Sequence, residues 1–276
     1  MEKAVTIRMP STANLMIDSA DRNTTNWPSA WNFQIQKNQS IQNGFFTRIG
    51  ATEVVLEWCE PNIISGEVIF DVSGAATRAN VDVQIGQGNY TMEELMNTIV
   101  DTYNSDGTRP AGTSISVSNS VGYWGFDISG GKFQGVASPL ASQMGLDIAG
   151  GLASRVPING CTDLRAYRYL DIVSPQLTYA QDLKDNSTQN INRDVLVRWY
   201  MAEDVPENLD GYGFPILMGY TPFVRRRLYN PPKQIKWDAN LPVGNLTFQV
   251  YDSDGNQLPT SDADSQFLLT LQLTEN

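Results

Sequence analysis

Between Thr221 and Leu258, three short apolar-rich runs are cut apart by residues that stop regular structure. Phe223–Tyr229 ends at Asn230-Pro231-Pro232, and Gln234–Trp237 ends at Asp238-Ala239-Asn240-Leu241-Pro242. Proline has no backbone N–H and a fixed φ, so none of these runs can continue as one long element. In the third run, Leu246, Phe248 and Val250 fall on one side and Thr247, Gln249 and Tyr251 on the other. A period of two marks a half-buried strand. Asp254-Gly255 then supplies a tight turn, because glycine accepts positive φ without strain.

The same rhythm recurs along the chain. Trp31, Phe33 and Ile35 alternate, as do Val54, Leu56 and Trp58, Val81, Val83 and Ile85, Val195, Val197 and Trp199, and Phe267, Leu269 and Leu271. Many short strands between turn residues predict an all-β fold, here a β-sandwich of two four-stranded antiparallel sheets. Ser114–Ser118, Gly122–Ile128, Tyr167–Val173 and Gln176–Tyr179 also read as strands, and Ala141–Leu146 as one helical turn. Residues 130–167 are only weakly patterned. One helix is expected, at about residues 91–103. Thr91 with Glu94 three places on makes a capping box, and Met92, Leu95, Met96 and Ile99 form a single apolar stripe.

The 276 residues, 41% hydrophobic, are enough to bury a sizeable core. Histidine is absent, which removes Ser-His-Asp and Cys-His nucleophile systems and every His-containing metal site. Cys59 and Cys161 are too few for a structural zinc site and are expected to be free thiols in a reducing compartment. A net charge of −11 opposes direct nucleic-acid binding and attraction to anionic membranes. No run reaches the ~18 apolar residues of a membrane helix, and residues 1–19 do not read as a secretory signal.

Three clusters invite a chemical reading. Asp18 and Asp21 sit in a polar turn but lack the further oxygen ligands of a calcium loop, so a capping role is expected. Glu203, Asp204, Glu207 and Asp210 offer paired carboxylates, yet Pro206, Gly211 and Gly213 among them favour a solvated loop. Tyr123, Trp124 and Trp199 could stack on sugars, although strand periodicity favours core packing. No catalytic, cofactor-binding or metal residues are assigned, and no cofactor is expected.

The order of several motifs resembles capsid proteins of virophages, polinton-like viruses and large eukaryotic DNA viruses. These motifs are Leu15-Met16-Ile17-Asp18-Ser19-Ala20-Asp21-Arg22-Asn23 followed by Trp31-Asn32-Phe33-Gln34-Ile35; Gly88-Asn89-Tyr90-Thr91 leading into Glu94-Leu95; Leu140–Leu146; and Arg227-Leu228-Tyr229 through Pro232-Lys233 and Trp237, then Leu246–Leu258 with Asp254-Gly255. The resemblance implies a single jelly roll, residues 13–276, with helix-containing insertions at about 86–165 and an N-terminal arm at 1–12. It implies a penton, a homopentamer at the five-fold vertices of an icosahedral capsid, or else a minor capsid (cement) protein. The implied partners are a double-jelly-roll major capsid protein and minor capsid proteins, and the implied location is the virion, assembled in the cytoplasm or nucleus of an infected eukaryotic cell. A carbohydrate-binding jelly-roll module is the rival from another class.

Arg225-Arg226-Arg227 is the only basic run, three of 13 arginines. In a strand Arg226 points away from Arg225 and Arg227, so no single nucleic-acid stripe uses all three. At least one of them is expected to bond a carboxylate of a neighbouring subunit. Lys3 and Arg8 are the cations of the arm, which is expected to anchor in the capsid.

Overall fold

The structure, a computed structural model, describes residues 12–36, 46–64, 66–120, 122–146, 152–159, 162–178, 185–186, 192–193, 195–201, 209–217, 220–236, 245–259 and 265–275. Lys3, Arg8, Cys161, Glu203, Asp204, Glu207 and Trp237 lie outside the described residues. In chain order the elements are β1 (Thr12–Asp18), β2 (Asn32–Gln36), β3 (Phe46–Trp58), β4 (Gly66–Gly74), β5 (Arg78–Ile85), α1 (Met92–Ser105), β6 (Ser114–Ser120), β7 (Tyr123–Ser129), β8 (Gly131–Ala137), α2 (Pro139–Gln143) and β9 (Arg155–Pro157). They continue with β10 (Tyr169–Val173), α3 (Pro175–Thr178), β11 (Asp185–Asn186), β12 (Asn192–Arg193), β13 (Val195–Tyr200), β14 (Phe223–Leu228), β15 (Ile235–Lys236), β16 (Asn245–Tyr251) and β17 (Gln266–Glu275). The chain divides into two compact units, residues 1–60, 167–202 and 222–276, and residues 61–166 with 203–221. The insertion expected at about 86–165 compares with a second unit that begins at Pro61 and takes a further segment after Ala202.

The first unit is the sandwich. One sheet has the order β1-β17-β3-β14, with the short β15 also on β3, and the other has the order β13-β10-β16-β2. All of these pairs are antiparallel. With the two-residue strands set aside and the rest of this unit counted along the chain, the sheets run 1-8-3-6 and 5-4-7-2. That winding is a jelly roll. The alternation in the sequence is what the sheets bury: Phe267, Leu269, Leu271 and Leu273 of β17 face inward, as do Leu246, Phe248 and Val250 of β16. Aromatic rings fill the centre. Trp31 stacks on Phe267 at 6.2 Å and tilts against Trp58 at 5.6 Å, while Phe33 lies 5.6 Å from both Phe248 and Phe267. The Trp31 indole donates to the buried Glu60 carboxylate at 3.0 Å. The turn after β16 closes as expected: Gly255 has φ +92, and the Asp252 carboxylate accepts from the Asp254 and Asn256 amides at 2.9 and 2.7 Å.

Gln176–Tyr179, read above as a strand, is a correction. Pro175–Thr178 is one helical turn. Proline at its start presets φ, and the Ser174 carbonyl collects the Leu177 and Thr178 amides and the Thr178 hydroxyl.

The second unit holds two three-stranded sheets, β5-β4-β8 and β6-β7-β9, with α1 and α2. Its core gathers Val68, Phe70, Val81, Val83, Phe126, Phe133 and Val156 with Met92, Leu95, Met96, Ile99 and Tyr103 of α1. The capping box is present: the Glu94 amide donates to Thr91 Oγ1 at 3.2 Å and the Thr91 amide to Glu94 Oε2 at 2.9 Å. Strands β8 and β9 fall in the weakly patterned region. Gly125 in β7 permits the close approach of β9, since a Cβ there would run into the backbone of Val156. Helix α2 starts at Pro139, two residues before the expected turn, because the Ser138 hydroxyl caps it by accepting from the Ala141 amide at 2.9 Å.

Candidate assembly surfaces

Arg225, Arg226 and Arg227 lie on β14, an edge strand in register with Leu56, Val55 and Val54 of β3. Phe223 anchors this edge by stacking on Trp58 at 6.5 Å. Successive side chains then part company. Arg226 leaves on the solvent face and pairs with Glu53, whose carboxylate raises the Arg226 pKa by accepting its hydrogen bond. Val224 and Leu228 leave on the same face and are 67% and 62% exposed. Arg227 turns to the side of the sandwich, its guanidinium 4.9 Å from the Tyr229 ring and 6.0 Å from the Tyr200 ring. Arg225 is exposed.

This side of the sandwich is closed by a chain of cations and tyrosines that joins β14 to β13, the edge of the other sheet. Tyr229 donates its hydroxyl to the Arg198 carbonyl at 3.0 Å, and Lys233 Nζ donates to the Val195 carbonyl at 3.1 Å. Arg198 lies 4.1 Å over the Tyr169 ring and makes a two-pronged bond to Asp171 at 2.6 and 2.9 Å. That bond holds the guanidinium firmly protonated, raising its pKa against the opposing cost of burial. Asp171 is buried, so the pair is directional and shielded on one side. Arg198, Asp171, Tyr200 and Tyr229 are not singled out by the sequence as members of this side. The alternation of Leu196, Arg198 and Tyr200 was a usable signal, but the neighbour across the sandwich was not visible.

The other marked residues are structural. Asp210 Oδ2 accepts the Glu93 amide at 3.0 Å, Oδ1 accepts the Tyr212 and Phe214 amides at 2.9 and 2.8 Å, and Glu93 Oε2 takes the Gly211 amide at 2.7 Å. These carboxylates tie a loop to the start of α1, where backbone N–H groups need acceptors. Asp18 accepts the Ala20 amide at 2.8 Å and caps a 3-10 turn at Ser19–Asp21; Asp21 is exposed. Trp199 is buried, Trp124 stacks on Tyr212 at 4.3 Å, and Tyr123 is 56% exposed. Cys59 is half-buried, its amide donating to the Ser265 hydroxyl at 2.9 Å. An open cleft of about 460 Å³ in the second unit is lined by Asn62, Ile63, Gln84 and Leu140. Two of its amides are already engaged, Asn62 with the Tyr90 backbone in both directions and Gln84 with Glu67 and Asp82. Among the described residues no group of three or more Cys, Asp or Glu could hold a metal ion, and no helix is long and apolar enough to cross a membrane.

No protein-family model matches the chain, and no curated protein matches it in sequence. Solved structures do. The crystal structure of the selenomethionine-labelled mavirus penton protein aligns with a TM-score of 0.55 at 11% identity, covering 97% of this chain and 99% of that one. The fold is that of a viral penton protein. The match spans both units rather than the sandwich alone, since 97% coverage of the chain includes the inserted segments.

Proposed function

We propose that this chain is a structural, non-enzymatic virion protein, a penton that forms a homopentamer at the five-fold vertices of an icosahedral capsid. One observation carries this reading: a full-length likeness in fold to the mavirus penton protein. The use made of the polar residues supports it. Asp18, Asp210 and Glu93 cap backbone amides, and the Arg225–Arg227 run lies on a sheet edge. Its partners are further copies of itself, a double-jelly-roll major capsid protein and minor capsid proteins. The arm at residues 1–12, with Lys3 and Arg8, reaches those neighbours. Ring closure multiplies contacts that are individually weak.

The test is the native mass of the purified full chain. Five copies of 30.6 kDa give about 153 kDa. A chain that stays monomeric at tens of micromolar, with and without capsid partners, contradicts the reading. A trimer favours a minor or major capsid role instead.

A further inference from the structure

We infer that residues 4–9 of one copy add as a further strand to the open β1 edge of the next copy's sandwich, extending its β1-β17-β3-β14 sheet. This rests on the homo-oligomer reading and names how the segment before β1 engages its neighbour.

Residues 1–11 precede β1 and lie outside the described residues. Their sequence puts Val5, Ile7 and Met9 on one side and Thr6 and Arg8 on the other, with three β-branched residues in succession from Val5 to Ile7. That is the pattern of a strand with one face to bury. Pro10 ends the run, because it has no N–H to give to a ladder. The same proline keeps the run off its own β1. Folding back would make Pro10-Ser11 the two-residue loop between Met9 and Thr12. The tight turns that suit twisted strands need positive φ at the first loop residue, which proline cannot adopt. Extended, the 11 residues reach about 36 Å, several times the ~4.8 Å between adjacent strands.

Four strands edge the two sheets of the sandwich, β1, β14, β13 and β2, and they are not equally receptive. An edge is a template for another strand unless it is covered, charged or short. Strand β14 carries Arg225, Arg226 and Arg227. On β13 the Val195 and Arg198 carbonyls already accept from Lys233 and Tyr229. Strand β2 is uncharged but has only 5 residues. Strand β1 has 7, with no charge before Asp18. It pairs with β17 on one side, and among the described residues nothing pairs with the other. Every second residue of such an edge turns its N–H and C=O away from the sheet. Leu15, on the inner face of β1, is only half-buried, and Met16, on the outer face, is 61% exposed. A strand bringing Val5, Ile7 and Met9 to the inner face would complete the burial of Leu15. Charge favours the same pairing: residues 1–11 hold Lys3 and Arg8 against Glu2, net +1, while the whole chain is at −11. A contact between a segment of one copy and a different edge of the next is heterologous, the kind that closes into a ring.

The test uses the full chain. Half-assembly concentration is measured by mass photometry for wild type, Thr6→Pro and Thr6→Val, with melting temperature to confirm folding. Thr6→Pro removes a donor from the middle of the run and is expected to raise the half-assembly concentration about tenfold or more, while Thr6→Val keeps the strand pattern and should stay within about threefold of wild type. Disulfide trapping reads the receiving edge. A chain with Thr6→Cys, mixed with one carrying Asn14→Cys or Met16→Cys on β1, should give oxidised dimers on a non-reducing gel, above the level of wild type or of any variant alone. Gln34→Cys on β2 should give none above that level. If wild type assembles and Thr6→Pro matches it, the inference falls while the homo-oligomer stands. Trapping at Gln34 in place of β1 overturns the edge. A disulfide inside one chain carrying both Thr6→Cys and Asn14→Cys, without mixed dimers, puts the segment on its own edge and also overturns the inference. If wild type never assembles, the homo-oligomer reading itself fails.

Discussion

The two units solve the same burial problem from opposite ends. In the first, partners come from far apart: β17 pairs with β1 from Thr12↔Thr274 to Asp18↔Leu268, and Phe267 lies between Trp31 and Phe33. In the second, β4 pairs with the adjacent β5 and β6 with the adjacent β7, and α1 covers the core with its apolar stripe. Long loops must close before the sandwich gains anything, while the hairpins of the second unit are local. The difference teaches where control sits. The sandwich depends on a few aromatic and ionic fastenings between distant segments, and the second unit on neighbours in sequence.

That contrast can be broken by core truncation. Phe267→Ala should cost about 3–5 kcal/mol, since it strips a ring from both Trp31 and Phe33. Phe70→Ala should cost a similar ~3–5 kcal/mol, because Phe70 meets Tyr103, Phe126 and Phe133. Kinetics separate them: Phe70→Ala should slow folding, and Phe267→Ala should mainly speed unfolding, if local contacts form first. Stopped-flow denaturant jumps read both rates, and the reverse assignment would overturn the contrast.

A smaller effect tests the fastening of β13. Asp171→Ala leaves the Arg198 guanidinium without its acceptor and should cost about 2–4 kcal/mol, reduced because Arg198 is partly exposed. Urea titration measures it. Little change would mean that the Tyr169 ring and water compensate.

Much of the sandwich was legible because each strand buries one face. Phe267, Leu269 and Leu271 needed only their own alternation to be read as an inward face. Helix α1 was legible because Thr91 and Glu94 bond to each other's backbone, chemistry confined to four residues. Strand β8 was not, since Gly131 and Gly135 thin its pattern and Phe133 is buried by partners from distant segments, Phe70 among them. The run Arg225–Arg227 was legible as an alternation. Which strand lies beside it depends on sheet order, so the placing of Arg227 over Tyr229 and Tyr200 was not.

Alkaline pH gives a third comparison. Burial pushes Tyr167 in the first unit and Tyr220 in the second up to about 12, with nearby carboxylates, Glu60 and Asp163 among them, adding to it. Both phenols hold their protons more tightly folded than unfolded. Their stabilisation is complete below the unfolded value near pH 10 and is lost as pH rises toward 12. Each should contribute about 1–2 kcal/mol after allowance for partial solvent access. Tyr220→Phe should remove one share of that pH dependence, at the cost of leaving the Leu164 amide unpaired. Unfolding curves between pH 9 and 12 measure this.

The smallest effects are local. Thr91→Ala should cost about 1 kcal/mol by uncapping α1, visible as a lower urea midpoint. Arg226→Gln should leave the melting temperature unchanged, because its pair with Glu53 is exposed.

Assembly state is the property that most directly decides the penton reading. Two-dimensional class averages of the purified full chain in vitrified ice should show closed five-fold rings. Fields of single particles, or rings of another symmetry, would contradict it.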